Sequence, residues 1–138
     1  MKKILLAEDE ESIRILTMRL LRRDYEILEA KNGEQALALY NNHRQDGLEL
    51  IITDNDMPEI GGIQLIKTIR GYSDNIPIIG WSGIDYNGPE MLKAGADVFF
   101  DKPVDFRELR KTIDNYVIPV ETIILPVGLG ENYDGRKD

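Results

Sequence analysis

The sequence contains no cysteine and a single histidine, His43, among its 138 residues. The absence of cysteine excludes disulfide bonds, thiolate nucleophiles and cysteine-ligated metal sites. One histidine cannot form a histidine-rich zinc site, and the polar residues around His43 indicate a solvated loop. Because the remaining candidate ligands are mainly carboxylates, the composition favours metal chemistry with oxygen ligands.

The chain also lacks an excess of basic residues and any long apolar run. The sequence has 25 Asp and Glu residues and 17 Lys and Arg residues. The resulting net charge of −8 argues against binding nucleic acid through a general basic field. No apolar run approaches the roughly 20 residues that span a bilayer. The first apolar run, residues 4–7, is shorter than the about 7–15 residues of a signal-peptide core. We therefore expect a cytoplasmic protein without membrane or direct nucleic-acid contacts.

Short apolar runs alternate with stretches of helical periodicity through residue 117. The first run is followed by Ile13, Leu16, Thr17, Leu20 and Leu21, which have the spacing of an amphipathic helix. Five such repeats predict one α/β domain with a doubly wound, five-stranded parallel sheet and helices on both faces. The predicted strands are residues 4–7, 25–29, 48–53, 76–81 and 98–100.

Polar residues follow four of these predicted strands. Glu8, Asp9 and Glu10 follow the first, Asp54 the third and Ser82 the fourth, and the fifth is followed by the residues at 101–103. In a doubly wound sheet, ligands bind beyond the carboxyl ends of the strands. We therefore expect these residues to meet in one crevice.

Clustered carboxylates repel one another unless protons or a cation neutralise them. Magnesium suits such a cluster because it accepts a few carboxylate oxygens and fills its other positions with carbonyl, water or phosphate oxygens. With a metal beside it, Asp54 could attack phosphorus and form an acyl phosphate. Lys102 and Ser82 could then stabilise the transferred oxygens.

These residues stand in motifs that resemble those of response-regulator receiver domains of two-component signalling. The resemblance covers roughly residues 2–117 and implies the flavodoxin-like (CheY-like) fold with strand order 2-1-3-4-5. Four motifs in the family's order carry it: residues 4–10 (ILLAEDE), 50–58 (LIITDNDMP), 77–83 (PIIGWSG) and 93–103 (KAGADVFFDKP).

The resemblance implies a metal site and a phosphoacceptor. Asp54 matches the phosphorylated aspartate. Glu8 and Asp9 match the acidic pair that binds Mg²⁺, for which Mn²⁺ is a substitute, with Asp9 the more direct ligand and Glu8 acting through water. The backbone carbonyl of Asp56 would be a further ligand.

The resemblance also implies the residues that respond to phosphorylation. Ser82 matches the hydroxyl residue that contacts the phosphoryl group and moves on activation. Lys102 matches the family's lysine, and Pro103 would follow it through a cis peptide bond. Phe99 occupies the aromatic switch position, although its residue type alone indicates a core phenylalanine.

The chain departs from the family pattern at two places. Gly61-Gly62 stands where Asp-Gly is common, a change that affects the loop before a helix. Only 20 positions separate Ser82 from Lys102, which predicts a short or irregular fourth helix. We expect a receiver domain at 1–117 and a tail at 118–138 with no output domain, and we expect residues 122–125 to pack on this domain or a neighbouring chain.

The predicted function is a phosphoacceptor switch rather than a turnover enzyme. A histidine kinase or histidine phosphotransfer protein would donate the phosphoryl group, and the surface of helix 4, strand 5 and helix 5 would control a downstream protein, with a homodimer left open. Asp54-Asn55-Asp56 also reads as the Asp-x-Asp of haloacid-dehalogenase-type phosphatases, although that motif normally follows the first strand. A receiver-fold scaffold without phosphorylation is the third alternative.

Overall fold

A computed structural model describes residues 1–83 and 87–117 of the chain. Five strands alternate with five helices along these ranges, as the hydrophobic pattern predicts. The elements are β1 (Lys3–Ala7), α1 (Glu11–Leu21), β2 (Glu26–Ala30), α2 (Gly33–His43), β3 (Leu48–Asp54), α3 (Gly62–Gly71), β4 (Ile78–Ser82), α4 (Asn87–Ala94), β5 (Val98–Asp101) and α5 (Phe106–Tyr116).

All four strand pairings are parallel, and the sheet order is β2-β1-β3-β4-β5. The doubly wound, flavodoxin-like fold is therefore confirmed. β2 lies at one edge of the sheet, and four of its five residues are exposed or half-buried. β1, β3 and β4 are nearly continuous buried runs, because helices cover both faces of a parallel sheet.

The core consists of two apolar clusters, one on each face of the sheet. Alternation along β1 divides them, because Ile4 and Leu6 belong to one cluster and Leu5 and Ala7 to the other. The first face is covered by α1 and α5, and the second by α2, α3 and α4. For example, Leu109 of α5 lies in the same apolar cluster as Ile4 of β1.

The prediction for α1 was wrong at Leu16, which is exposed. The helix instead buries Arg14, Thr17 and Leu21. Two of these are polar, but each is satisfied locally: the Thr17 hydroxyl donates to the Ile13 carbonyl, and the Arg14 guanidinium donates to the Glu8 carbonyl. The face of α1 that meets the sheet is therefore set partly by hydrogen bonds, which an apolar stripe does not reveal.

The predicted short fourth helix is confirmed, since α4 has eight residues. Gly95 follows it with a φ of 126°, a conformation that favours glycine. None of the helices in the two described ranges is long and apolar enough to cross a membrane. The packing predicted for residues 122–125 lies outside the described residues, and the proposed tail boundary stays a prediction.

Candidate functional site

The carboxyl ends of the strands bring together the polar residues that the sequence places there. Asp54 is the last residue of β3 and pairs in register with Trp81 of β4. The backbone N–H of Lys102, just after β5, donates to the Ser82 carbonyl at 3.0 Å. Glu8 directly follows β1, the neighbour of β3. We call this group of strand ends the carboxyl edge.

Three carboxylates form a cluster at the carboxyl edge. One oxygen each from Glu8, Asp9 and Asp54 lies within 4.8 Å of the others. Glu8 and Asp54 are buried, whereas Asp9 is exposed and open to solvent. This donor set fits a hard divalent cation, because Mg²⁺ binds through one or two carboxylates and keeps open positions for water or phosphate oxygens.

Lys102 lies between the two buried carboxylates. Its Nζ is 3.0 Å from Oε1 of Glu8 and 3.4 Å from Oδ2 of Asp54. Burial by itself would lower the pKa of Lys102, but the hydrogen bond to Glu8 and the charge of Asp54 raise it above its ordinary value. Lys102 therefore stays protonated, yet it supplies one positive charge to two acids.

Asp54 is the less satisfied of the two buried acids. Its Oδ1 has no hydrogen-bond partner among the described residues. Burial and the nearby charge of Glu8 raise the pKa of Asp54 to about 7, against the lowering effects of Lys102 and the backbone N–H of Asp56. A cation beside Asp54 would favour its ionised form. The unpartnered oxygen is thus an available nucleophile or metal ligand.

Ser82 and Asp56 lie together through an unpredicted contact. The Ser82 hydroxyl donates to Oδ2 of Asp56 at 2.8 Å. The resemblance assigns Ser82 to a phosphoryl group and only the backbone carbonyl of Asp56 to a metal. To contact a phosphoryl group on Asp54, Ser82 would therefore have to leave the Asp56 carboxylate.

The remaining predicted site residues lie on or next to β5. Phe99 is half-buried against the cluster covered by α2, α3 and α4. A Cβ on Gly88 would come within 2.8 Å of its ring, so α4 passes close over it. The Lys102–Pro103 peptide bond is cis, as predicted. The switch role of Phe99 stays a prediction.

Close backbone contacts join the end of β3 to the start of α3. A Cβ on Gly62 would lie 2.4 Å from the Asp54 carbonyl oxygen, so only glycine fits there without a shift. Gly61 precedes the helix without a side-chain cap, and Oδ1 of Asn55 instead accepts from the Ile63 N–H at 3.0 Å. Asn55 thus supplies the cap that the Gly61-Gly62 departure removes.

Sequence reasoning missed two side chains that hold the acidic pair. The indole Nε1 of Trp81 donates to Oε1 of Glu8 at 2.7 Å. Arg14 bonds the Glu8 carbonyl at 2.9 Å and Oε1 of Glu29 at 3.2 Å. No local pattern in the sequence contains the Trp81 contact, because it joins the ends of β1 and β4, which are not adjacent in the sheet.

Comparisons with known proteins agree with this architecture. The family model described as the response regulator receiver domain matches residues 4–114. The receiver domain of the Francisella response regulator 1452 matches with a TM-score of 0.76 and 29% identity, covering 84% of this chain and 96% of that chain.

Two curated relatives show the range of proteins in which similar chains occur. Sporulation initiation phosphotransferase F of Bacillus subtilis is 31% identical over 121 residues, covering 84% of this chain and 94% of that protein. Histidine kinase P4 of Formosa agariphila is 38% identical over 117 residues, covering 81% of this chain and 8% of the kinase. The chain thus spans less than half the length of some curated relatives.

Proposed function

The chain belongs to the response regulator receiver domain family, and from this premise we propose that it is a phosphorylation switch whose phosphoacceptor is Asp54. The observation that carries the proposal is the buried, unpartnered Oδ1 of Asp54 beside the Lys102 ammonium. A carboxylate oxygen left without donors in a buried site is available to form a new bond.

The chemistry is transfer of a phosphoryl group from a phosphohistidine to Asp54. A carboxylate oxygen of Asp54 forms a bond to phosphorus while the phosphorus–nitrogen bond of the donor breaks, and the imidazole leaves with the bonding electron pair. With its pKa raised to about 7, a substantial fraction of Asp54 is protonated near pH 7, so the cation-binding residues and Lys102 assist the reaction by favouring the carboxylate.

Glu8, Asp9, Asp54 and the backbone carbonyl of Asp56 would hold Mg²⁺, or Mn²⁺ in its place. When bound, the ion supplies positive charge for the transferred phosphoryl oxygens. Lys102 adds a second positive charge beside Oδ2 of Asp54. The site therefore combines a nucleophile with the charge stabilisation on which phosphoryl transfer depends.

The readout would begin at Ser82. Phosphorylation adds about −1.5 to −2 charges at Asp54, together with strong acceptor oxygens. Ser82 would turn from the Asp56 carboxylate to these oxygens, and Phe99 would follow by burying its half-exposed ring. The changed surface of α4, β5 and α5 would then bind a downstream protein or a second copy of this chain.

The phosphoryl donor would be a histidine kinase or a histidine phosphotransfer protein. The relatives fit this chemistry by name, since one is a histidine kinase and another a phosphotransferase. The cytoplasmic location and the receiver boundary at residue 117 remain predictions on the same basis.

The test is the intact mass after incubation with acetyl phosphate or phosphoramidate and Mg²⁺. We expect the wild type to gain one phosphate that survives mild acid and is released by base or hydroxylamine. Asp54→Asn should gain none, whereas Asp46→Asn, a control at the opposite end of the sheet, should behave as the wild type does.

Two other results would replace the proposal. Continuous release of phosphate from a generic phosphate ester would indicate a haloacid-dehalogenase-type phosphatase. No adduct on the wild type, together with no binding of beryllofluoride, would indicate a receiver-fold scaffold.

A further inference from the structure

Trp81 connects the apolar core to the carboxyl edge. It is the chain's only tryptophan, and its side chain is fully buried in the cluster covered by α1 and α5. From this position on β4 the indole passes across the intervening β3, and its Nε1 donates to Oε1 of Glu8, which follows β1. A buried indole N–H requires an acceptor, and here the acceptor is a residue of the functional site.

The carboxylate of Glu8 receives hydrogen bonds from three directions. Its Oε1 contacts both Trp81 Nε1 and Lys102 Nζ, at 2.7 and 3.0 Å, and its Oε2 accepts from the Glu10 backbone N–H at 2.9 Å. Glutamate has one more rotatable bond than aspartate, so a carboxylate placed on it needs more anchoring. Trp81 supplies a rigid donor that adds no charge to the site.

The position of Glu8 bears directly on Lys102 and therefore on Asp54. Lys102 lies 0.4 Å closer to Glu8 than to Asp54, as the distances of 3.0 and 3.4 Å show. If Glu8 lost its indole donor, its Oε1 would depend more strongly on the lysine and would draw it from the phosphoacceptor. A neutral donor on Glu8 keeps the lysine shared between the two acids.

We propose that Trp81 is a positioning residue for phosphoryl transfer, whose indole N–H fixes the Glu8 carboxylate and thereby holds Lys102 within reach of Asp54. This inference rests on the proposed function of Asp54. The alternative is that Trp81 only fills the core and that Glu8 is a convenient acceptor. The positioning role and the packing role predict different results when the indole N–H is removed and the volume of the ring is kept constant.

The sharpest test changes only the N–H group. Because Trp81 is the only tryptophan, it can be replaced by the benzothiophene analogue of tryptophan, in which sulfur takes the place of the N–H. We expect phosphorylation by acetyl phosphate at saturating Mg²⁺ to slow about tenfold and Mg²⁺ to bind several-fold more weakly by calorimetry. Trp81→Phe should show the same direction of change.

Ile79→Val is the matched control, because Ile79 lies on the same strand in the same apolar cluster. It should lower the thermal stability while leaving the phosphorylation rate and Mg²⁺ affinity within twofold of the wild type. If the benzothiophene analogue also stays within twofold, Trp81 is a packing residue and the inference is overturned.

A second measurement needs neither phosphorylation nor a variant. In the metal-free wild type, the indole ¹H–¹⁵N resonance of Trp81 should be protected from exchange with solvent, and it should shift during Mg²⁺ titration as Glu8 adjusts. Rapid exchange with solvent would contradict the hydrogen bond between Trp81 and Glu8. A resonance that does not shift at saturating Mg²⁺ would contradict the connection between Trp81 and the metal site. A wild type that binds Mg²⁺ with this shift but takes no phosphate would overturn the proposed function of Asp54 instead.

Discussion

Charged side chains are paired differently at the two ends of the sheet. At the amino ends of the strands, which we call the amino edge, the Arg70 guanidinium donates to the carbonyls of Gly95, Asp74 and Ile76 and to the Asp97 carboxylate. At the carboxyl edge, Glu8 and Asp54 share one ammonium, and a buried oxygen of Asp54 has no hydrogen-bond partner within residues 1–83 and 87–117. At the amino edge the charged side chains pair with one another and with backbone carbonyls, whereas at the carboxyl edge one ammonium is shared by two buried acids.

Other contacts extend the same contrast. Arg110 joins α5 to the end of α1, because it bonds the Leu20 carbonyl and the carboxylates of Asp24 and Asp114. Lys3 pairs with Asp46 at 2.8 Å, beside the start of β3. These pairs connect helices and loops to one another and to the sheet. The contacts at the amino edge stabilise the fold, whereas the carboxyl edge holds the proposed phosphoryl-transfer site.

The largest effect that separates the two edges is expected from Lys102→Met. Removing an ammonium that stabilises transferred charge should slow phosphorylation by acetyl phosphate about 100-fold, in line with the loss of one electrostatic donor in other active sites. Lys111→Met is the control, because Lys111 is exposed on α5 at 3.8 Å from Glu108. Equal phosphorylation rates for the two variants would show that the shared charge at the carboxyl edge is not used in the reaction.

Arg70→Met should produce the reverse pattern. The variant leaves several carbonyls without their charged donor, and we expect a loss of about 2–3 kcal/mol in the free energy of unfolding, measured by urea denaturation. The phosphorylation rate should stay within twofold of the wild type. Asp46→Asn, which removes an exposed pair of the same edge, should have a smaller effect that disappears in high salt. A large fall in phosphorylation with Arg70→Met would break the division between the edges.

The smallest effect concerns the pH dependence of stability. Asp54 loses its proton near pH 4 in an unfolded chain, but burial and Glu8 raise its pKa to about 7 in the native protein. Because the native state holds a proton that the unfolded state has lost, the contribution of Asp54 to stability is present below pH 4 and is lost as the pH rises to about 7.

Asp54→Asn removes this dependence. In EDTA at pH 8 it should raise the free energy of unfolding by about 1–2 kcal/mol, less than the full shift implies because water and Lys102 screen the charge. Below pH 4 the two proteins should unfold at the same urea concentration. A variant that is less stable than the wild type at pH 8 would show that Asp54 is already well satisfied in the metal-free protein.

The sequence predicts the strand ends well because each observation is local. A buried run followed by polar residues identifies Asp54, Ser82, Lys102 and the acidic pair without any knowledge of their neighbours, and the family motifs add their roles. The bond between Trp81 and Glu8 depends on the register of two strands that are not adjacent, which no local pattern contains. The contact between Ser82 and Asp56 depends on the loop after β3, and the exposed Leu16 on the polar partners of α1.

The strand order also has a consequence for folding. β1 pairs with β2 and β3, so residues 1–54 contain three adjacent strands and all three clustered acids. Ser82 and Lys102 come from the second half of the chain. An intermediate built from the first half would hold like charges together without their lysine, and docking of β5 would relieve that repulsion. Competence for phosphorylation would then appear only in the last stage of folding, when both halves of the chain are joined.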